Sequence, residues 1–213
     1  MRSINSSLNR TKNNIYDLVR SNKWDWFITL TFDKNKVDRT DYDLLLKKVQ
    51  NFFRGIRDRK CPNLKYIIVP EIHKRLEENG KHAWHFHGLI ADCPELNISP
   101  SINKNGKRRK TKSNIERFEI LDYRLGFSDA TPVQDTFRCS TYILKYITKA
   151  ECCVAKNKRR YIYSQNLNKP IITEYYSDKE KLFEDEILEA NYIDVKEINV
   201  GTFSQKVTYY HFD

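Results

Sequence analysis

LKYIIVPEI at residues 64–72, an Asn79-Gly80 turn signal, and HAWHFHGLIA at residues 82–91 read as two strands of one antiparallel hairpin. Both runs are rich in β-branched and aromatic residues, which suit a pleated, buried surface. Asn-Gly is the pair that most readily closes a tight turn. On a strand, residues i and i+2 point to the same side. His85 and His87 therefore share a face, and the turn carries Glu71 beside them. His73 points to the same side as Glu71 and is an alternative ligand, and His82 is a further neighbour. Two imidazoles and one carboxylate leave coordination positions open, which suits an ion that must accept a phosphate oxygen. No thiolate joins the set, so Mg²⁺ or Mn²⁺ is expected over structural zinc. Ordinary strand histidines remain the competing reading, because an H-x-H pattern alone is weak.

The rest of the chain arranges itself around this hairpin. Residues 3–22 read as a polar helix with Ile4, Leu8, Ile15, Leu18 and Val19 as its apolar stripe. WDWFITLTF at residues 24–32 reads as a buried strand. Thr40 or Asp41 caps a helix over about 41–59, whose apolar positions Leu44, Leu45, Val49, Phe52, Phe53 and Ile56 recur at helical spacing. Residues 92–115 carry Pro94, Pro100, Asn105-Gly106 and the run KRRK at 107–110, and read as an exposed basic loop. Strands follow near 116–121 and 126–134, then a helix from Gln134-Asp135-Thr136 to about 151. Residues 178–190 read as an acidic helix, and 192–212 as a hairpin turning near Val200-Gly201. The expected class is α+β: a central antiparallel sheet with helices packed on one face. Residues 1–170 are expected to form one domain, with 171–213 a helix-and-hairpin extension packed on it.

The helix after the last sheet strand contains YILKYITK at residues 142–149. Positions i, i+3, i+4 and i+7 of a helix share a face, so Tyr142, Lys145, Tyr146 and Lys149 project together. Ile143, Leu144 and Ile147 form a displaced core-facing stripe. Two tyrosines at this spacing often pack as plain aromatics. The lysines beside them are costly to bury unpaired, which puts the phenols at a polar boundary. A phenol there can attack phosphorus and displace a 3′-oxygen, conserving the bond as a tyrosyl ester.

The composition is compatible with such chemistry. A net charge of +10 suggests a polyanionic partner, nucleic acid first. Hydrophobic residues make up 39% of the chain and aromatic residues 13%, enough for a core and too much for wholesale disorder. The five cysteines are odd in number and form no C-x-x-C, so they read as reduced thiols of a cytosolic protein. No apolar run approaches a membrane span, and the first residues lack a signal-peptide core. A soluble, cytoplasmic protein is expected. Arg108, Arg109, Lys110 and Lys112, with Lys156, Lys158, Arg159 and Arg160, make two basic clusters suited to DNA phosphates. Trp24, Trp26, Trp84 and Tyr161 either stack unpaired bases or, as is commoner for strand tryptophans, sit in the core.

Taken together these residues resemble the HUH-type endonucleases, specifically the rolling-circle replication initiators. FITLTF at 27–32 is similar to the family's first motif, a strand with alternating threonines beside the active site. His85-Phe-His87 with the following Gly88 is similar to the HUH motif, and residues 142–149 to the two-tyrosine third motif of microvirus phage and plasmid initiators. SQNLNKP at 164–170 resembles a downstream segment of such proteins. The resemblance implies a five-stranded, ferredoxin- or RRM-like antiparallel sheet with the histidines on a central strand and the tyrosines on a facing helix. It implies His85, His87 and, more loosely, Glu71 as ligands of Mg²⁺ or Mn²⁺. It also implies Tyr146 as first nucleophile, Tyr142 as its partner, and Lys149 and Lys145 as phosphate contacts. The implied reaction nicks single-stranded origin DNA, leaving a 5′-phosphotyrosine and a free 3′-OH. No G-x-x-x-x-G-K-[ST] is present, so host helicase and polymerase are the expected partners of a phage- or plasmid-encoded protein. A non-catalytic origin-binding module and a transposase- or relaxase-like enzyme are the alternatives.

Overall fold

The computed structural model describes residues 4–150, 159–171, 192–200 and 203–211. Chain packing divides the protein into two units, Met1–Pro170 and Ile171–Asp213. In the first unit the order is α1 (Ile4–Arg20), β1 (Trp26–Phe32), α2 (Tyr42–Arg59), β2 (Lys65–Leu76), β3 (His82–Ala91), β4 (Ile98–Pro100), β5 (Phe118–Ile120), β6 (Gly126–Pro132), α3 (Thr136–Ala150) and β7 (Ile162–Tyr163). The second unit contains β8 (Tyr192–Val200) and β9 (Phe203–His211), paired antiparallel from Tyr192 opposite His211 to Val200 opposite Phe203. The expected acidic helix over 178–190 lies outside the described residues.

The α+β class expected from the sequence is the one found. The sheet is antiparallel and open, with strand order β4-β5-β6-β1-β3-β2-β7. It has seven strands where the resemblance implied five. One short addition, β4, lies inside the expected loop at 92–115, and β7 pairs two residues with β2 at the opposite edge. The basic run is accordingly held in paired backbone rather than a free loop. Ile102 bridges Arg108 and Lys110 bridges Glu116. Its tip turns at Gly106, whose φ of 75° is a conformation glycine adopts without strain. Asn103 Oδ1 accepts from the amides of Asn105 and Lys107 to close that turn.

Helices cover both faces of the sheet, not one as the sequence suggested. Alternation along each strand sends side chains two ways. Ile28, Leu30, Phe32, Ile68, Trp84, Phe86 and Ile90 meet Leu45, Val49, Phe53 and Ile56 of α2. Ile67, Val69, Leu89 and Ala91 meet α1 and α3 on the other face. Asp41 is the residue that caps α2, accepting from the Leu44 amide at 3.0 Å. Apolar runs buried on both sides show no clean alternation, which is why the second helical layer was not evident from sequence.

The tryptophans are structural. Trp24 and Trp84 are buried, and Trp26 packs edge-on to Phe118. Cys61 and Cys93 form a disulfide, Cα–Cα 5.2 Å, which corrects the expectation of reduced thiols throughout. Thirty-two residues of separation hid the pair in the sequence; folding brings the end of α2 beside the end of β3. Among the described residues no helix is long and apolar enough to cross a membrane. The segment at 164–168 is clamped to the first unit. Ser164 exchanges hydrogen bonds with Tyr66, and Asn168 and Asn22 bond each other.

Candidate functional site

Register across the sheet assembles the site. Residues directly opposite on antiparallel strands project to the same face. One cross-strand row reads Phe127, Thr31, His85, Glu71 from β6 through β1 and β3 to β2. The next row reads Asp129, Thr29, His87, Val69. A third reads Thr131, Phe27, Leu89, Ile67 and ends at Tyr163 of β7. The third row is apolar at its centre and lies in the core beneath α1 and α3, with Leu89 and Ile67 fully buried. The second is the border, and the first lies beyond it.

Gly88, between His87 and Leu89, allows these strands to approach closely. A β-carbon there would stand 2.2 Å from the carbonyl oxygen of Ile67 and 2.4 Å from Ile68 Cδ1. Any larger residue would push β3 off β2 and spoil the register that aligns Glu71 with His85.

His87 is only 6% exposed and is held on three sides. Its Nδ1 is 3.0 Å from Thr29 Oγ1, and its Nε2 is 2.7 Å from Glu71 Oε2. The ring of Tyr146 lies nearly parallel on the imidazole, centroids 3.8 Å apart at 10°. His85 is looser. Thr31 Oγ1 is 3.4 Å from its Nδ1, and the His73 ring stacks on it at 5.2 Å. Burial, then the neighbouring His87 and His73, lower the His85 pKa to about 4, so it is a neutral ring at pH 7. A cavity of about 370 Å³ opens beside it, lined by Thr31, Arg39, His73 and Ala83 among others.

The two tyrosines do not share one environment. Tyr146 is 6% exposed and packs with Ile143 against the sheet, whereas Tyr142 is 46% exposed. Their rings meet edge-on at 5.1 Å, and Tyr142 also touches Phe27 at 5.3 Å. Residues three apart on α3 face the sheet together, so Tyr146 falls on the core side with Ile143 rather than on a wholly polar face. Burial, the hydrogen bond to Tyr142, and the nearby charges of Tyr142 and Glu71 raise its pKa well above the ordinary phenol value. The Lys145 ammonium sits 5.8 Å from the centre of the Tyr142 ring. Lys149 follows one turn later on α3.

Glu71, His85 and His87 thus come together, with Thr29 and Thr31 as hydrogen-bonding supports. In kind, two imidazoles and a carboxylate fit a hard or borderline cation. The cage is not preformed: Glu71 Oε2 is committed to His87, and among the described residues no three His, Cys, Asp or Glu side chains already form a ligand group. Of the basic residues, Arg108 pairs with Glu116 at 2.9 Å and Lys110 bonds Asn114 at 3.0 Å. Arg109 and Lys112 are exposed and make no ion pair among the described residues. Arg159 and Arg160 lie at the far edge beside β7, and Lys156 and Lys158 lie outside the described residues. The basic clusters therefore stand at opposite edges of the sheet, with the histidines between them.

Sequence reasoning passed over Phe127. It is 76% exposed, two strands from His85 in the same cross-strand row. The available signal was alternation on β6, which puts Phe127 and Asp129 opposite the buried Ala130.

No curated protein and no solved structure matches this chain. A family model does, that of the replication-associated protein ORF2 family, over residues 25–151, from the start of β1 to the end of α3. That span takes in the threonine strand, Glu71, both histidines and both tyrosines, and it exceeds half of the 213 residues. The chain belongs to this ORF2 family of replication-associated proteins.

Proposed function

We propose that this chain is a metal-dependent endonuclease of the two-tyrosine HUH type, which nicks and rejoins single-stranded DNA at an origin to start rolling-circle replication. The observation that carries this reading is the Tyr146 ring lying on His87, with His87 bonded to both Glu71 and Thr29. A nucleophile-bearing side chain, an imidazole and a carboxylate form one chain of contact. Membership in a replication-associated family supplies the biological setting.

His85, His87 and Glu71, with His73 as substitute, would hold Mg²⁺ or Mn²⁺, which when bound polarises a phosphate oxygen and offsets charge in the transition state. The Thr29 hydroxyl can donate to His87 Nδ1 or accept from it. It therefore supports either tautomer, including the one that leaves the Nε2 lone pair available. Tyr146 is the first nucleophile. Its oxygen bonds to phosphorus as the bond from phosphorus to the 3′-oxygen breaks, and the leaving oxygen is protonated to a 3′-OH. The phenolic proton leaves along the hydrogen bond toward Tyr142, whose ring faces outward. Tyr142 then makes the second cut while Tyr146 is occupied. Lys145 and Lys149 act as phosphate contacts, and Arg108, Arg109, Lys110, Lys112, Lys158, Arg159 and Arg160 hold the flanking strand. Phe127 offers an exposed aromatic face for a base about two strand spacings, roughly 10 Å, from His85.

The test is covalent transfer. Labelled single-stranded fragments of the protein's own replicon, incubated with Mn²⁺, are expected to become attached to the protein. Chelation and Tyr142→Phe/Tyr146→Phe are each expected to abolish the adduct. A second reading is favoured by two observations, the burial of Tyr146 and the closure of Glu71 on His87. It is a non-catalytic origin-binding module. Origin binding with no adduct under any divalent ion would select it.

A further inference from the structure

A cleft of about 650 Å³ opens where α2 meets the β7 edge of the sheet, lined by Arg54 and Arg57 of α2, Tyr66 of β2, and Arg159, Arg160 and Tyr161 before β7. Four guanidinium groups converge on it, and among the described residues no carboxylate lines it. Arg54 and Arg57 lie three apart and share a helix face. Both lower the pKa of the Tyr66 phenol against the upward push of burial, which places their charges beside it. Arg57 is partly compensated by Asp58 at 2.9 Å, out on the helix surface. The Tyr42 hydroxyl donates to the Arg159 carbonyl and so fixes the loop that carries the other two arginines.

Arg160 is the informative member. Its Nη1 is buried and has no hydrogen-bond partner. A guanidinium carries five donors and keeps its charge in proteins, so a buried, unmet N–H is expensive unless something arrives to accept it. Planar guanidinium forks match phosphate oxygens two at a time. The cleft has room for about twenty waters at liquid density, far more than one phosphate ion displaces. The Tyr161 and Tyr163 rings, 5.5 Å apart and within 18° of parallel, add aromatic faces of the kind on which bases stack.

We infer that this cleft grips the phosphate backbone of a second stretch of the DNA substrate, away from the nick. It is not an extension of the histidine site. Tyr66 stands five residues before Glu71 on β2, roughly 16 Å along the strand. The inference rests on DNA being the substrate, and it assigns Arg54 and Arg57, together with Arg160, to holding it. The ligand chemistry is the phosphodiester, which single-stranded and duplex DNA share.

The experiment measures binding, not cutting. Fluorescence anisotropy of the full chain, in chelator, is followed against salt with one labelled single-stranded oligonucleotide and with its duplex. Losing two phosphate contacts in Arg54→Ala/Arg160→Ala is expected to flatten the slope of log K against log salt by about 1.4 on single strands or about 1.8 on duplex. Affinity near physiological salt is expected to fall about tenfold or more by the same loss. The DNA form that shows the change identifies the segment bound. Should Arg160→Ala lower the melting temperature sharply, Arg54→Glu on the exposed helix surface replaces it, with an expected loss at least as large as one contact. Wild-type slopes and affinities on both DNA forms, in folded variants, overturn the inference. A wild-type protein that never forms the covalent adduct while its variants still lose slope would sink the enzyme reading and leave the cleft standing.

Discussion

His85 and His87 are two residues apart on one strand and face the same way, yet they live in different surroundings. His87 is clamped by Thr29, Glu71 and the Tyr146 ring and is nearly sealed from solvent. His85 has one long contact to Thr31, a stacked His73 and an adjoining cavity, and its row continues to the bare ring of Phe127. α3 makes the difference, because it brings Tyr146 down over the second cross-strand row and leaves the first uncovered. The closed row is rigid enough to position chemical groups. The open row is accessible enough to admit a strand of DNA. A nicking site needs both within one ion's reach, and an antiparallel sheet provides them simply by ending its helical cover one row early.

The tyrosines put the largest stakes on this contrast. If the closed side carries the first attack, Tyr146→Phe lowers the rate of adduct formation by about a thousandfold or more, as expected for loss of a nucleophile. Tyr142→Phe should leave a first adduct and lose the second transfer, read by whether a covalently held strand can be passed to a fresh acceptor. Full first-step activity in Tyr146→Phe with none in Tyr142→Phe would invert the assignment and make the exposed phenol the attacking group. The threonines come next. Thr29→Val removes the group that sets the His87 tautomer, and apparent Mn²⁺ affinity in the nicking assay should weaken about 10–100-fold. Thr31→Val, with its 3.4 Å contact, should weaken it far less. Equal effects of the two would mean that the closed and open rows hold their imidazoles alike.

Phe127 probes the open side alone. Stacking against one base is worth about 1–3 kcal/mol, so Phe127→Ala should raise KM about tenfold, within the range that energy allows. The value of kcat at saturation should hold, and Phe127→Trp should retain wild-type KM. A fall in kcat with unchanged KM would show that the ring acts on the chemistry or on the fold of β6 instead.

How much of this was legible in the sequence follows from which interactions are local. Glu71, His85 and His87 were readable because one hairpin and the two-residue strand period settle their placement. The tyrosine pair was readable as a helix, but its division into a buried and an exposed member was not, since that depends on where α3 crosses the sheet. The Cys61–Cys93 bond, the strand β4 inside the basic segment and the two-sided helical cover all arise from long-range packing that no single window records. Phe127 was missed for a related reason. On a strand an aromatic residue normally signals core, and only the pairing of Thr31 with both Phe127 and His85 reveals that it faces the open side.

The smallest expected effect concerns the apo protein and acid. Burial, His87 and His73 hold the His85 pKa near 4, while Glu71 works the other way and Arg39 adds to the depression. In the unfolded chain the same ring titrates near pH 6.5. Between those values the unfolded state binds the extra proton, so folding stability must decline as pH drops from about 6.5 toward 4. His85→Gln, studied in chelator, removes that proton uptake and should shorten the acid-side fall in melting temperature by a few degrees. The measurement separates the rows, because a ring as open to water as its loose contacts suggest would carry an ordinary pKa and the two melting curves would run parallel. A flatter curve in the variant would mean that the open row is dry at its floor, and that DNA entering over Phe127 meets an imidazole already stripped of its proton.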